Sequence, residues 1–302
     1  MNICGPQRYD KENNTCFNVD QLVEMAKAYN RYLSKTKLNP SRNYHFGDAD
    51  LINIKSDKKY LLKQFKDRFG KICGSDEICL THQAFMGELV GEMKDDILFG
   101  TFRSEGPSKS TEWLSTIDIN QIMVPYENIY PNFKFIGAVP ADCDQVSVCP
   151  LYNINYDKLM NEGINYIATI FNHDRYGQPG SHWVAMFVDI NNGKLYYCDS
   201  NGKEPTKYIE NSIEKFAQFY KRKTGNNIIY KYNKNSYQKD GSECGVYSCN
   251  FIIRMLSGEP FDNIVSNSLS FQEINSCRNV YFRNQPSKFK PHKLCDPTNS
   301  GK

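Results

Sequence analysis

Four residues of this chain have the types and the order that acyl transfer through sulfur requires: His182, Asp199, Gln238 and Cys244. Cysteine is the side chain most readily turned into a strong nucleophile near neutral pH, provided its proton is removed. The stretch Gln238-Lys239-Asp240-Gly241-Ser242-Glu243-Cys244-Gly245-Val246-Tyr247 ends a polar loop and puts Cys244 on the first turn of a helix. From there the apolar residues Val246, Cys249, Ile253 and Leu256 recur with helical spacing, and Gly258 and Pro260 end the run. A thiol at a helix start faces unpaired backbone N–H groups and the positive end of the helix dipole, both of which favour the thiolate. The same N–H groups can receive the oxyanion of an attacked carbonyl. A lone cysteine there is as a rule an inert core residue, so its partners decide the reading.

His182 opens the run Trp183-Val184-Ala185-Met186-Phe187-Val188, apolar on both faces and therefore expected to be a central strand. Asn191-Asn192-Gly193 turns the chain back as a hairpin and brings Asp199 close to the point opposite His182. Asp189 lies farther along the strand, about 20 Å from His182 at the rise of an extended chain; Asn201 is the nearer rival. These residues divide into roles. Cys244 is the nucleophile, His182 the base and then the acid, and Asp199 the group that orients the imidazole; Gln238 and the Cys244 backbone N–H are the oxyanion donors. A thiolate–imidazolium ion pair is expected at neutral pH. No cofactor and no metal is called for.

The elements around these residues suggest an α+β chain with a central sheet flanked by helices. Strands are expected over residues 133–139, 166–171, 182–190, 194–198 and 228–232, with an amphipathic helix over 206–222. Before them, residues 1–100 read as a helical accessory domain, with Asp20 and Asp57 as helix caps and a further helical pattern over 83–99. Gly106-Pro107-Ser108 is taken as part of a linker, residues 101–285 as the catalytic domain with a closing helix over 271–282, and 286–302 as a polar, mobile tail. Cys73, Cys79 and His82 could in principle hold zinc. No fourth ligand accompanies them, so they are read as buried thiols and a helix start.

A chain of 302 residues has room for a full catalytic core and one further unit, and its net charge of +3 carries no general signature of nucleic-acid or membrane binding. No leader opens it and no apolar run reaches membrane-spanning length, so an intracellular, cytoplasmic protein is expected. Eleven scattered cysteines suggest reduced thiols instead of a disulfide framework, with Cys143 and Cys149 structural.

His182-Trp183, Asp199-Ser200 seventeen residues on, and Gln238 six residues ahead of Cys244-Gly245 together resemble the ubiquitin-like-protein protease superfamily of cysteine proteases. That superfamily includes the SUMO-specific proteases, the adenovirus maturation protease and the African swine fever virus polyprotein protease. The resemblance runs over roughly residues 110–257. It implies a papain-like core of the SUMO-protease type, and a slot for the Gly-Gly end of a substrate walled by Trp183 and by the Trp113 of Glu112-Trp113-Leu114. Gly180-Ser181-His182-Trp183 and Ser242-Glu243-Cys244-Gly245 are most similar to proteases of large cytoplasmic DNA viruses, which cleave structural polyproteins after Gly-Gly in the host cytoplasm, at the assembly site or in the virion. Two features depart from the pattern: Trp113-Leu114 lacks the usual Asn-Asp after it, and Asp199 stands where the swine fever enzyme uses Asn. The implied partner is a Gly-Gly-containing protein, a viral polyprotein or, alternatively, a conjugate of SUMO or ubiquitin. An acetyltransferase or an inactive binding module is the reading from another class, opposed by the complete His182, Gln238 and Cys244 set.

Overall fold

The computed structural model describes residues 3–37 and 51–299, which divide into two compact units, Met1–Arg103 and Ser104–Lys302. In the first, helices Val19–Lys37 and Lys58–Cys73 are followed by short helical turns over residues 77–100. The single long pattern expected over 83–99 is broken because Gly87 and Gly91 interrupt it. Asp57 caps the second helix through the Tyr60 N–H. The first helix is capped by Asn18, whose side chain accepts from the Gln21 N–H while Gln21 reaches back to the Asn18 N–H; Asp20 lies inside the first turn.

The second unit is built on a five-stranded mixed sheet in the order β1 (Phe133–Pro140), β2 (Tyr166–Asn172), β3 (Trp183–Asp189), β4 (Lys194–Cys198) and β5 (Ile229–Tyr232). The outer pairs β1–β2 and β4–β5 are parallel and the inner pairs antiparallel. Every residue of β3 is buried. Its alternate residues Trp183, Ala185 and Phe187 join the core beneath helix Cys244–Leu256, and Val184, Met186 and Val188 join a second core with helix Lys207–Thr224. Two covered faces are why its sequence is apolar without alternation. The fold is α+β, a central mixed sheet flanked by helices.

Four further expectations are corrected. Disulfides join Cys4 to Cys16, Cys73 to Cys79 and Cys277 to Cys295, across Cα separations of 5.2, 5.4 and 4.9 Å. Chain-wide cysteine composition says nothing about such local pairs, which the fold brings within bonding reach. Cys143, Cys149, Cys198, Cys244 and Cys249 are free. The tail is not loose over its described residues: Ser287 and Cys295 are buried, Asn279 donates to the carbonyls of Ser287 and Phe289, and Cys295 is bonded to Cys277. Gly106-Pro107 is likewise no free linker. Gly106 has φ +78° and packs so closely on Phe282 that a Cβ would overlap the ring, and the Pro107 carbonyl accepts from Asn284. The closing helix is two pieces, Phe271–Ser276 and Arg278–Tyr281.

Candidate active site

The pairing Ala185↔Cys198, continued three residues toward the open end of the hairpin, sets His182 opposite Asn201 and therefore beside Asp199. Asp199 Oδ1 lies 2.6 Å from His182 Nε2, and the Asn201 side-chain nitrogen lies 3.3 Å from the same ring atom. Asn201 also donates its backbone N–H to Asp199 Oδ1 at 2.8 Å. Asp199 thus takes the imidazole and the rival holds the carboxylate. Asn233 fixes Asp199 from behind, accepting from its N–H and donating to its carbonyl. Asp189 sits at the other end of β3 and accepts from Asn192.

Cys244 is the other side chain whose proximity acts on the imidazole. Burial of the imidazole, the largest influence, pulls its pKa down. The bond to Asp199, the interaction with Cys244 and their charges outweigh it, so the pKa stands at about 9 against an ordinary 6.5. The carboxyl of Asp199 moves oppositely: burial alone would raise it, and the bonds from His182 and Asn201 hold it below the usual range. His182 is therefore cationic and Asp199 anionic at neutral pH.

Cys244 begins helix Cys244–Leu256 and is 3 % exposed. The loop before it is shaped by Asp240 Oδ1, which accepts from the N–H groups of Ser242 and Glu243. Gly245 follows because three elements meet on it: a Cβ there would stand 3.1 Å from Leu114 and 3.3 Å from Trp183. Cys198, next to Asp199 in sequence, takes the alternate face of its strand and joins the core beneath helix Cys244–Leu256. Its sulfur lies 3.0 Å from the Tyr237 hydroxyl, and burial pushes its thiol up to about 12. It is no rival nucleophile. Gln238 is held from both ends, Oε1 accepting from the Ser200 hydroxyl at 2.5 Å and Nε2 donating to the Asp240 carbonyl at 2.9 Å.

The segment carrying Trp113 is tied at three carbonyls. Ser110 accepts from Asn275, Glu112 from Arg278, and Leu114 from the Trp183 indole N–H at 2.9 Å. Asn275 and Arg278 both also bond Glu243, the residue before Cys244. Glu243 and Arg278 are fully buried and paired at 3.0 Å. Trp183 is 7 % exposed and Trp113 52 %.

Sequence reasoning did not find Asn233, Ser200 as the partner of Gln238, the Glu243–Arg278 pair, or His173. His173 stacks edge-on against His182 with ring centroids 4.9 Å apart. Burial, with the charge of His182, keeps its imidazole below the ordinary histidine range. The β2–β3 pairing Asn172↔Trp183 was the available signal for it, since His173 and His182 are the next pair along.

A sequence profile of the Ulp1 protease family, C-terminal catalytic domain, matches residues 152–287, which include His182, Asp199, Gln238 and Cys244 but not Trp113. A protein of Acanthamoeba polyphaga mimivirus that bears a thiol-protease name is 99 % identical over all 302 residues and over its own full length. The chain belongs to the Ulp1, or SUMO-protease, superfamily of cysteine proteases. A cysteine protease of African swine fever virus is 23 % identical over 270 residues, 83 % of this chain and 98 % of that one. A crystal structure of the swine fever virus protease superimposes on this protease with a TM-score of 0.59 at 17 % identity, covering 93 % of this chain and 96 % of that one. It shares the fold. No helix among the described residues is long and apolar enough to cross a membrane.

Proposed function

We propose that this cysteine protease is an endopeptidase that cleaves after Gly-Gly in viral structural polyproteins. The observation that carries the catalytic assignment is that His182 bonds Asp199 at 2.6 Å and that its charged form is favoured by both Asp199 and Cys244. Beside a cationic imidazole and at a helix start, Cys244 attacks as the thiolate. The Cys244 backbone N–H and the second N–H of Gln238 receive the oxyanion. His182 then gives its proton to the departing amine, and in the next half-reaction takes one from the water that releases the acyl group. Asp199 orients His182 and stabilises its charge throughout.

Specificity follows from the tryptophans. Trp183 is packed over Gly245 and bonded to the Trp113 segment, a tight ceiling beside a nearly buried nucleophile. A substrate residue with a Cβ would have to push that packing apart. Polyprotein processing in virus assembly is supported by the relatives in two large DNA viruses. The three disulfides favour action in the maturing particle over the reducing cytosol. Residues 1–100 serve in this reading as an accessory domain that binds substrate or particle. Some swine fever virus relatives carry SUMO-1 in their names, which supports removal of a ubiquitin-like protein as the second reading.

The test is kcat/KM on Gly-Gly, Gly-Ala and Ala-Gly peptides, beside fluorogenic SUMO and ubiquitin. A preference for Gly-Gly of about 100-fold is expected, shrinking in Trp183→Ala. Comparable cleavage of all three peptides would remove the Gly-Gly class; folded SUMO or ubiquitin far above the peptide would select the second reading.

A further inference from the structure

Beside the cysteine chemistry the site holds a second set of donors. The ligand-capable atoms of His173, His182 and Asp199 all lie within 4.8 Å of one another. Proteolysis as described gives His173 no work. Asp199 is fully buried, and its Oδ2 has no hydrogen-bond partner although Oδ1 has two. An anionic oxygen left bare in the interior is costly unless something cationic comes to it. Both imidazoles are only partly buried, so the cluster has a path to solvent.

We propose that His173, His182 and Asp199 form a binding site for a zinc ion that holds the protease inactive while bound. Two imidazoles and a carboxylate are a donor set zinc accepts, with water in the fourth position. Adjacent ligands of tetrahedral zinc stand roughly 3.3 Å apart. The 2.6 Å contact between His182 Nε2 and Asp199 Oδ1 must therefore open and His173 must swing inward, movements that side-chain rotation can supply. The ion takes the place of the proton shared by His182 and Asp199, and that proton leaves to solvent. With Nε2 on the metal, His182 is no longer oriented by Asp199 toward Cys244 and the departing amine, although its other ring nitrogen keeps its proton. Harder ions such as magnesium, which require oxygen ligands, should not compete.

The inhibitory half of this proposal rests on the proteolytic reading, whereas the binding half does not. Full-length Cys244→Ala, which cannot turn over, should still bind about one zinc per chain in competition with a chromophoric chelator. Adding His173→Gln to it should weaken binding on the order of 100-fold. In the active enzyme, zinc should inhibit reversibly and a chelator restore activity. His173→Gln alone should keep basal kcat/KM and need far more zinc for the same inhibition, with His173→Phe behaving alike. Loss of zinc binding in Cys244→Ala would overturn the proposal by making the thiolate the ligand, as would equal zinc sensitivity with and without His173. A spectrum of the unsubstituted protein with cobalt decides the matter even if both His173 variants fold poorly. Tetrahedral d–d bands without sulfur-to-metal charge transfer are expected, and a charge-transfer band would contradict the site.

Discussion

Two acid–base pairs flank Cys244, and they are built differently. His182–Asp199 is closed at 2.6 Å with its imidazole partly open to solvent, a second histidine against it and one carboxylate oxygen bare. Glu243–Arg278 is wholly buried, its carboxylate also held by Ser242 and Asn275 and its guanidinium also spent on the Glu112 carbonyl. The first pair contains a group whose proton can come and go. The second contains arginine, which does not deprotonate in proteins and whose planar fork fixes direction. In the proposed mechanism the first pair performs the chemistry, while the second ties the loop before Cys244 to the Trp113 segment.

If that division is right, substitutions in the two pairs should fail in different ways. Cys244→Ala and His182→Ala should each lower kcat by about 10⁴-fold or more, Cys244→Ala with the thermal unfolding midpoint nearly unchanged, and the double variant should be no worse in kcat than either. Losses that multiply would separate the two residues. Arg278→Met should instead cost about 3–5 kcal/mol of stability by leaving Glu243 buried and unpaired. Replacing both partners by apolar residues should recover most of that stability but not the grip on the Glu112 carbonyl, so KM should rise more than kcat falls. Chemical denaturation with peptide kinetics on the same samples reads both. A double replacement that restored full activity would deny Arg278 any part in placing the Trp113 segment.

Next in size is the disulfide between Cys277 and Cys295, which closes a loop carrying Arg278. Replacing both cysteines by serine should cost about 2–4 kcal/mol, measured by urea unfolding. Unchanged stability would mean that the tail is held by its hydrogen bonds alone. The smallest effect is expected for Asp199→Asn. Its amide oxygen can still accept from the imidazolium, but the charge is lost, so kcat/KM should fall about 10- to 100-fold, some 1.4–2.8 kcal/mol. The pH profile should show the cause. Because the pKa of His182 is raised to about 9 in the folded protein from an ordinary 6.5, its charged form is favoured. The contribution of that charge to stability is complete below the ordinary value and lost as pH rises through about 9. The alkaline limb of activity should fall in the same range and move toward 6.5 in Asp199→Asn. An unmoved limb would mean that Asp199 does not hold the charge.

What could be read from the sequence was what lies close along the chain or repeats with a period. β3 was legible because both its faces are covered, and the hairpin turn then brought Asp199 beside His182. Cys244 was legible because the helix behind it has a regular apolar stripe. Illegible residues depend on contacts between distant parts of the chain. Arg278 meets Glu243 and Glu112, and Asn233 reaches back to Asp199, without any periodic mark. The disulfides are close in sequence yet escaped because composition was weighed over the whole chain, and the tail looked mobile because it is pinned mainly through its backbone N–H and carbonyl groups and one sulfur.

The most direct test of the central claim, that His182 activates Cys244, is the rate at which a small alkylating probe labels Cys244 as a function of pH, with the labelled residue assigned by mass spectrometry. In the unsubstituted protein labelling should persist well below pH 7, and in His182→Ala it should shift to the profile of an ordinary thiol, near 8.5. Identical profiles in the two proteins would contradict the account.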